Sequence, residues 1–351
     1  MSAAPITILV VAPNWLGDAV MALPAIADVR RRFPDAQLLV AARPIVADLF
    51  ALVPGIDDSV VLAWKGHWWN RTAFHTDAVR LASVGADVAI LLPNSFATAW
   101  LLKQAEIPER WGYATDMRSR LLSRAVPRPM RSMHQGAYYQ HLTSTLEIPA
   151  GPLQPTLIVP QHATEAARRL LVERGWDAGH PLAALAPGAA YGTAKRWIPQ
   201  HVATLATELV RRLGATCVLV GSGADRATTA TVRDRVAADA RSRVIDVAGE
   251  TALEALAGVF SLAQVCVSND SGAMHVAAAV GTPVAALFGP TREYETAPLA
   301  RAGARTEVLT HQVWCRPCML RECPIDHRCM TRISPERVYT AVDTLIAGVA
   351  R

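Results

Sequence analysis

Val265-Cys266-Val267-Ser268-Asn269-Asp270-Ser271-Gly272-Ala273-Met274-His275-Val276-Ala277-Ala278-Ala279 is the stretch on which the fold turns. An apolar, strand-like run ends at Ser268, a turn of small polar residues follows, and an alanine-rich helix is expected from about Gly272. A strand passing through a short turn into a helix is half of a βαβ unit, which points to an α/β fold built on a parallel sheet. The first backbone N–H groups of such a helix have no intrahelical partner, and the helix dipole favours an anion there by about 0.3–1 kcal/mol. Gly272 lets a phosphate approach the backbone, and Asp270 or Ser271 suits the helix cap. An ordinary capped helix is the plainer alternative. A carboxylate beside a diphosphate is repulsive, so Asp270 is expected to face hydroxyl groups instead.

Outward from this stretch the same rhythm repeats. In the first half, strands are expected at 6–12, 37–41, 59–62 and 87–92, with helical stretches from about 18, 44, 74 and 95. The second half offers strands at 182–186, 217–221, 244–247, 264–267 and 283–288, with helices between them, including 200–213 and 251–262. Ile148-Pro149-Ala150-Gly151-Pro152-Leu153-Gln154-Pro155 is rich in Pro and Gly and reads as a linker. The expected organisation is an N-terminal doubly wound domain over 1–155, a C-terminal one over 156–333, and a final helix over 334–351 packing back toward the first domain. Ser334-Pro335-Glu336 starts that helix with a cap, a proline at the first position and an early acid. Two Rossmann-like domains would then face a central cleft, with ligands outside the carboxyl ends of the strands.

The bulk composition agrees with this reading. At 351 residues, 51% hydrophobic and 19% charged, the chain is long enough for two cores and has no disordered bias. A net charge of +5 favours an anionic partner, whether nucleic acid, membrane surface or phosphorylated substrate. The N-terminal apolar run is too short for a signal-peptide core and meets Pro13 at once. The longest stretch free of charged residues, Ser271 to Thr291, is broken by Gly281, Pro283 and Gly289 and reads as helix, turn and strand rather than a membrane span.

Two further turns carry chemistry. Ala186-Pro187-Gly188-Ala189-Ala190-Tyr191-Gly192-Thr193-Ala194-Lys195-Arg196-Trp197 follows a strand and ends in adjacent cations, of which Lys195 suits a diphosphate as a mobile point charge. It lacks Walker spacing, and neither first strand is followed by Gly-x-Gly-x-x-Gly, which disfavours a nicotinamide enzyme. Pro13-Asn14-Trp15-Leu16-Gly17-Asp18-Ala19-Val20 places an acid at a helix start, where Asp18 serves either as a cap or as a general base for an acceptor hydroxyl.

Taken in order, Asn14-Trp15-Leu16-Gly17-Asp18, Leu92-Pro93-Asn94-Ser95-Phe96, Pro187-Gly188 through Lys195-Arg196-Trp197, Ala248-Gly249-Glu250-Thr251 and Asn269-Asp270-Ser271-Gly272-Ala273-Met274-His275 closely resemble the lipopolysaccharide heptosyltransferase II group of glycosyltransferase family 9. The resemblance spans nearly the whole chain. It implies a GT-B fold and inverting transfer of L-glycero-D-manno-heptose from ADP-heptose to the first heptose of the Kdo–lipid A inner core. It also implies a cytoplasmic enzyme, peripheral on the inner-membrane surface, with no nucleic-acid partner and no cofactor for the chemistry. Carried over by residue, it makes Asp18 the catalytic base and Lys195 the diphosphate contact. Asp270 contacts heptose hydroxyls with Ser271 and Gly272 beside the phosphates, and Asp225 takes the adenosine ribose. Thr193 joins the donor loop, and His275 braces or contacts the donor. No Asp-x-Asp sequence occurs, which weighs against a donor-bound metal.

An anionic acceptor would account for the crowding of Arg110, Arg118, Arg120, Arg124, Arg128 and Arg131, with Lys103 nearby. Arg118, Arg120, Arg124 and Asn94 are the expected acceptor contacts, a solvated charge run being the alternative. Trp64-Lys65-Gly66-His67-Trp68-Trp69 is read as stacking on sugars, dipping into a membrane interface, or packing in the core. Cys217 and Cys266 read as core residues, whereas Cys315, Cys318, Cys323 and Cys329 supply four thiolates for a structural zinc, with His311 and His327 as alternates. A reduced or disulfide-tied loop competes with the metal. Two other functions stay open: a heptosyltransferase of type I or III, or a related GT-B enzyme, acting on another acceptor, and a metal-linked interaction module using the cysteines.

Overall fold

The structure, a computed structural model, describes residues 6–67 and 69–348. Trp68 and the last three positions of the expected C-terminal helix lie outside the described residues. The chain divides into two compact units, Met1–Thr156 and Leu157–Arg351.

The first unit is a six-stranded parallel sheet of β1 (Thr7–Val11), β2 (Gln37–Ala42), β3 (Asp58–Val61), β4 (Val88–Leu91), β5 (Glu109–Tyr113) and β6 (Arg124–Val126), in the order β3-β2-β1-β4-β5-β6. The second holds β7 (Leu182–Ala186), β8 (Thr216–Leu219), β9 (Val244–Asp246), β10 (Val265–Asn269), β11 (Val284–Phe288) and β12 (Thr306–Thr310), in the order β12-β11-β10-β7-β8-β9. Each unit counted from its own first strand is therefore a doubly wound 3-2-1-4-5-6 sheet. The central strands are covered on both faces, so they read as unbroken apolar runs: every residue of β4, β7, β10 and β11 is buried.

Three strands escape the sequence reading, and all lie toward sheet edges. β5 opens Glu109-Arg110-Trp111, and β6 is only three residues long. Their register sets Trp111 opposite Arg124, whose guanidinium lies 4.9 Å from the Trp111 ring centroid. The charges that look like a solvated run are partly the outer faces of edge strands. β12, carrying Thr306 and Glu307, is the third.

The C-terminal helix Pro335–Ala347 starts as expected, with Ser334 Oγ accepting from the Arg337 N–H at 3.3 Å. Its apolar face is taken up within the second unit. Val338, Tyr339, Ala341, Val342 and Leu345 enter the second unit's core beside Leu209, Leu287 and Leu309. The i, i+3, i+4, i+7 spacing of Val338, Ala341, Val342 and Leu345 makes one apolar stripe, flanked by Tyr339, and the face of β10–β12 and the helix Pro199–Leu213 absorb it.

In a 3-2-1-4-5-6 sheet the chain leaves the first and fourth strands toward opposite sides, which opens a crevice beyond their carboxyl ends. In the first unit that point lies between β1 and β4, and in the second between β7 and β10. No helix among the described residues is long and apolar enough to cross a membrane.

Candidate active site

In the second unit the two loops flanking the switch point are stapled together by Asn269. Its amide donates to the Pro187 carbonyl at 2.7 Å, and its Oδ1 accepts from the Trp197 N–H at 3.0 Å. Asn269 is 1% exposed, so these bonds are made away from competing water. The next residue, Asp270, gathers two partners on one oxygen: Lys195 Nζ at 2.6 Å and the Thr291 hydroxyl, donating at 2.6 Å. The side chains of Lys195 and Asp270 are 13% and 6% exposed, making this a largely desolvated pair. Lys195 also sits 4.8 Å above the Tyr191 ring.

The helix Gly272–Val280 begins beside this pair. Ser271 is its N-cap by position, yet its side chain makes no capping bond and instead meets Ser268 Oγ at 3.2 Å. Asp270 is likewise engaged elsewhere, so the cap expected from either side chain is not made. Ser271 and Gly272 are only half-buried, leaving the first-turn N–H groups oriented for an anion. His275, one turn along, is 3% exposed and belongs to the interior of the loop's support.

Asp225 closes the other side. Its Oδ2 accepts from Ser222 N–H at 2.9 Å and Ser222 Oγ at 2.8 Å, a capping box on the short turn Gly223–Asp225. Arg196 stands 4.0 Å from its Oδ1. A Cβ built on Gly188 would fall 2.4 Å from the Asp225 carboxyl carbon, and one on Gly221 2.9 Å from its Cβ. Gly249, at φ +72°, comes against Gly223 in the same way. These glycines let the loops after β7, β8 and β9 close round a carboxylate. Arg196 Nε and Thr251 Oγ1 are buried there without a hydrogen-bond partner, two polar atoms available to a ligand.

The cysteine-rich segment buttresses this loop. The Ala194 N–H donates to the Arg321 carbonyl at 2.9 Å, His327 Nε2 bonds the Ala194 carbonyl at 2.5 Å, and Tyr191 Oη donates to the Met319 carbonyl at 2.8 Å. Thr193, exposed, opens the turn Thr193–Lys195 that these contacts hold. All four cysteines are free thiols. Burial raises the Cys329 thiol, and the charges of Cys323, Cys318 and Cys315 raise it further, which places the four in one neighbourhood. The expected zinc tetrad is nevertheless not assembled. No group of three or more His, Cys, Asp or Glu among the described residues is arranged to hold a metal ion. His327 is committed to Ala194, and Cys323 Sγ accepts from the His327 N–H at 3.3 Å.

In the first unit, Asp18 lies in the first turn of the helix Leu16–Arg32, after β1. Trp15, not Asp18, is the N-cap, so the simple capping role falls away. The acid is favoured there by the helix dipole, and its charge, after burial, helps to raise the pKa of the buried Tyr139 phenol. Across the switch point, Asn94 donates to Tyr138 Oη at 3.0 Å, and its Oδ1 is buried without a partner.

Of the expected acceptor arginines, Arg118 is corrected outright. It is 0% exposed and its guanidinium holds the Tyr113 carbonyl at 2.9 Å and the Pro93 carbonyl at 2.5 Å, with Nη2 against Gly112. Burial pulls its pKa down to about 10. It is a strut for the loop carrying Asn94. Arg110 is similarly spent, donating to the Leu121 carbonyl at 2.7 Å, and Arg124 is divided between Trp111 and Glu147, 3.8 Å away. Arg120, Arg128 and Arg131 are exposed. Trp64 is core, edge-on to Phe74 at 4.8 Å, whereas Trp69 is 65% exposed and stacks on His67.

Two doubly wound units, one with an anion-ready helix start beside a buried Lys–Asp pair, define a nucleotide-sugar transferase of GT-B type. The model of glycosyltransferase family 9 (heptosyltransferase) matches residues 78–328, and the chain belongs to that family. It is a glycosyltransferase. Lipopolysaccharide heptosyltransferase 2 of Salmonella typhimurium is 28% identical over 354 residues, covering 97% of this chain and 98% of the relative. Its Escherichia coli counterpart is 29% identical over 353 residues, covering 97% and 98%. The solved structure of E. coli ADP-heptose LPS heptosyltransferase II superposes with a TM-score of 0.84 at 26% identity, over 99% of this chain and 100% of that one.

Proposed function

We propose that this chain transfers L-glycero-D-manno-heptose from ADP-heptose to the first heptose of a Kdo–lipid A inner core, with inversion. The observation that carries the reading is the Lys195–Asp270 pair beside the open start of the helix Gly272–Val280. A diphosphate entering there meets first-turn N–H groups and competes with Asp270 for Lys195. Once Lys195 turns to the phosphates, Asp270 is released to accept from sugar hydroxyls, so charge neutralisation and sugar recognition are coupled. Asp225 takes the ribose, Thr193 and the backbone at Ser271 and Gly272 line the phosphates, and His275 supports the helix start. As the leaving diphosphate gains charge, this fixed set of donors stabilises it.

Asp18 acts as the base that removes the acceptor proton. Asn94, Arg120 and Arg124 line the acceptor side. Exposed Arg120, Arg128 and Arg131 favour an anionic inner-membrane surface on its cytoplasmic face by about 1 kcal/mol each.

The test is direct. Purified protein, ADP-heptose and a monoheptosylated Kdo–lipid A acceptor should release ADP with heptose added to the acceptor. Release of nucleotide from a different nucleotide-sugar, with none from ADP-heptose, rejects the donor assignment. Asp18→Asn should abolish turnover while retaining donor binding; undiminished turnover removes Asp18 from the mechanism.

A further inference from the structure

The ring of Tyr191 carries two cations. Lys195 Nζ lies 4.8 Å from its centroid and the Arg321 guanidinium carbon 5.2 Å, so the two charges stand no more than about 10 Å apart. The backbone sets their placement. The Tyr191 hydroxyl donates to the Met319 carbonyl at 2.8 Å, and the Ala194 N–H donates to the Arg321 carbonyl at 2.9 Å. A Cβ built on Gly192 would fall 2.3 Å from that same carbonyl oxygen, so the segment bearing Arg321 lies directly against the turn Thr193–Lys195.

The two cations differ in what balances them. Lys195 is paired with Asp270 at 2.6 Å. Arg321 is exposed, and among the described residues its guanidinium makes no ion pair or hydrogen bond. Its neighbours on the segment are spent, Arg316 on Glu293 at 2.6 Å and Arg328 on Asp326 at 2.7 Å. One positive charge is thus left over beside the Lys195–Asp270 pair, held near a like charge with no acid of its own.

We propose that Arg321 is a second cation for the donor's diphosphate, so that the cysteine-bearing segment supplies part of the donor site as well as its support. This rests on the reading of Lys195 as the diphosphate contact. A diphosphate spreads its charge over two phosphoryl groups. Lys195 meets one as a point charge, and the planar fork of the guanidinium takes oxygens of the other. The Tyr191 ring attracts both cations through its quadrupole without neutralising either, which a carboxylate in its place would do. As ADP departs and gains charge, the contact strengthens with it.

The experiment is calorimetric titration of ADP into full-length wild type and Arg321→Gln, with adenosine measured by displacement of ADP. The substitution keeps the Arg321 backbone carbonyl that holds Ala194, so the loop's support is retained. Arg321→Gln should weaken ADP binding about tenfold and leave adenosine binding unchanged. The deficit should shrink as sodium chloride rises from about 50 to about 500 mM, because salt screens an exposed charge contact and spares a structural one. An ADP affinity within about twofold of wild type overturns the proposal. So does an equal loss for ADP and adenosine, or a deficit that salt does not move. Wild-type protein that binds no ADP overturns the donor reading and this inference with it. If wild type binds ADP and Arg321→Gln binds it equally well, only the second cation fails.

Discussion

Gly188→Ala tests the geometry of the donor site with a single methyl group. A Cβ at Gly188 would lie 2.4 Å from both Cγ and Oδ1 of Asp225 and 2.6 Å from Oδ2. Ordinary contact begins near 3.5 Å, so the carboxylate must retreat by about 1 Å. It is not free to do so, because Oδ2 is held by the Ser222 N–H at 2.9 Å and the Ser222 hydroxyl at 2.8 Å. Yielding means giving up one or both bonds of the capping box, while not yielding means shifting the loop after β7. Either course costs about 1–3 kcal/mol. If Asp225 holds the ribose, a displacement of that size forfeits a hydrogen bond to a charged group. Donor KM should rise about tenfold or more, with a smaller effect on kcat.

The assay is initial-rate kinetics with ADP-heptose, paired with urea unfolding and repeated in an Asp225→Ala background. With the carboxylate gone, the methyl has room, so Gly188→Ala should then cost under about 0.5 kcal/mol. Equal destabilisation in both backgrounds would refute the clash. A donor KM unchanged by Gly188→Ala, despite the expected loss of stability, would remove Asp225 from donor binding.

Lys195→Met should lower kcat/KM by about 100-fold or more, since one preorganised charge is lost from the diphosphate; a loss below threefold in steady-state rates contradicts its role. Asp270→Asn should depress transfer yet tighten ADP binding measured by calorimetry, because Lys195 is freed and a repulsive carboxylate is removed. Weaker ADP binding would oppose the coupling drawn from the 2.6 Å pair. Arg118→Ala should destabilise the chain by about 2–4 kcal/mol in urea, leaving the Pro93 and Tyr113 carbonyls without their donor, while donor KM stays unchanged. Burial pushes the Cys217 thiol up to about 12, and raises Cys266 as well, so both stay protonated and unlabelled by iodoacetamide at pH 8. Half-buried Cys315, Cys318 and Cys323 should be labelled first in mass spectra of folded protein, and early labelling of Cys217 contradicts the described core.

The fold was legible where the sheet is buried on both faces. β7 and β10 announce themselves because an all-apolar run bounded by turns has few other destinations. Legibility fails at the edges, where β5 puts Glu109 and Arg110 in a strand and β6 has three residues. Their stability comes from hydrogen bonds to a neighbouring strand and from Arg124 lying on Trp111, neither of which leaves a periodic trace. The arginine cluster misled for the same reason. Arg118 looks like its exposed neighbours in sequence, and its close approach to Gly112, where a Cβ would stand 3.1 Å from Nη2, shows only in the fold.

The site divides along similar lines. Lys195 and Asp270 could be singled out because each follows a strand in a small-residue turn, and a parallel sheet brings such turns to one edge. What could not be read was the partnership: they are 75 residues apart, and they meet because β7 and β10 are neighbours across the switch point. Asn269 and Thr291 were passed over for that reason. Asn269 acquires its function only when Pro187 and Trp197 arrive from the adjoining loop, and Thr291 only when the turn after β11 reaches Asp270. Asp18 carried a signal in its own turn, at the start of a helix that follows a strand. The helix Gln135–Thr145 packs along Leu16–Arg32, a pairing that no local motif announces. The Asp28–Gln140–Gly151 anchor holds the two helices together at its end of that packing. A chemically loaded residue can thus be found from its neighbours in sequence, but the residue that orients it is found only once the packing of distant segments is known.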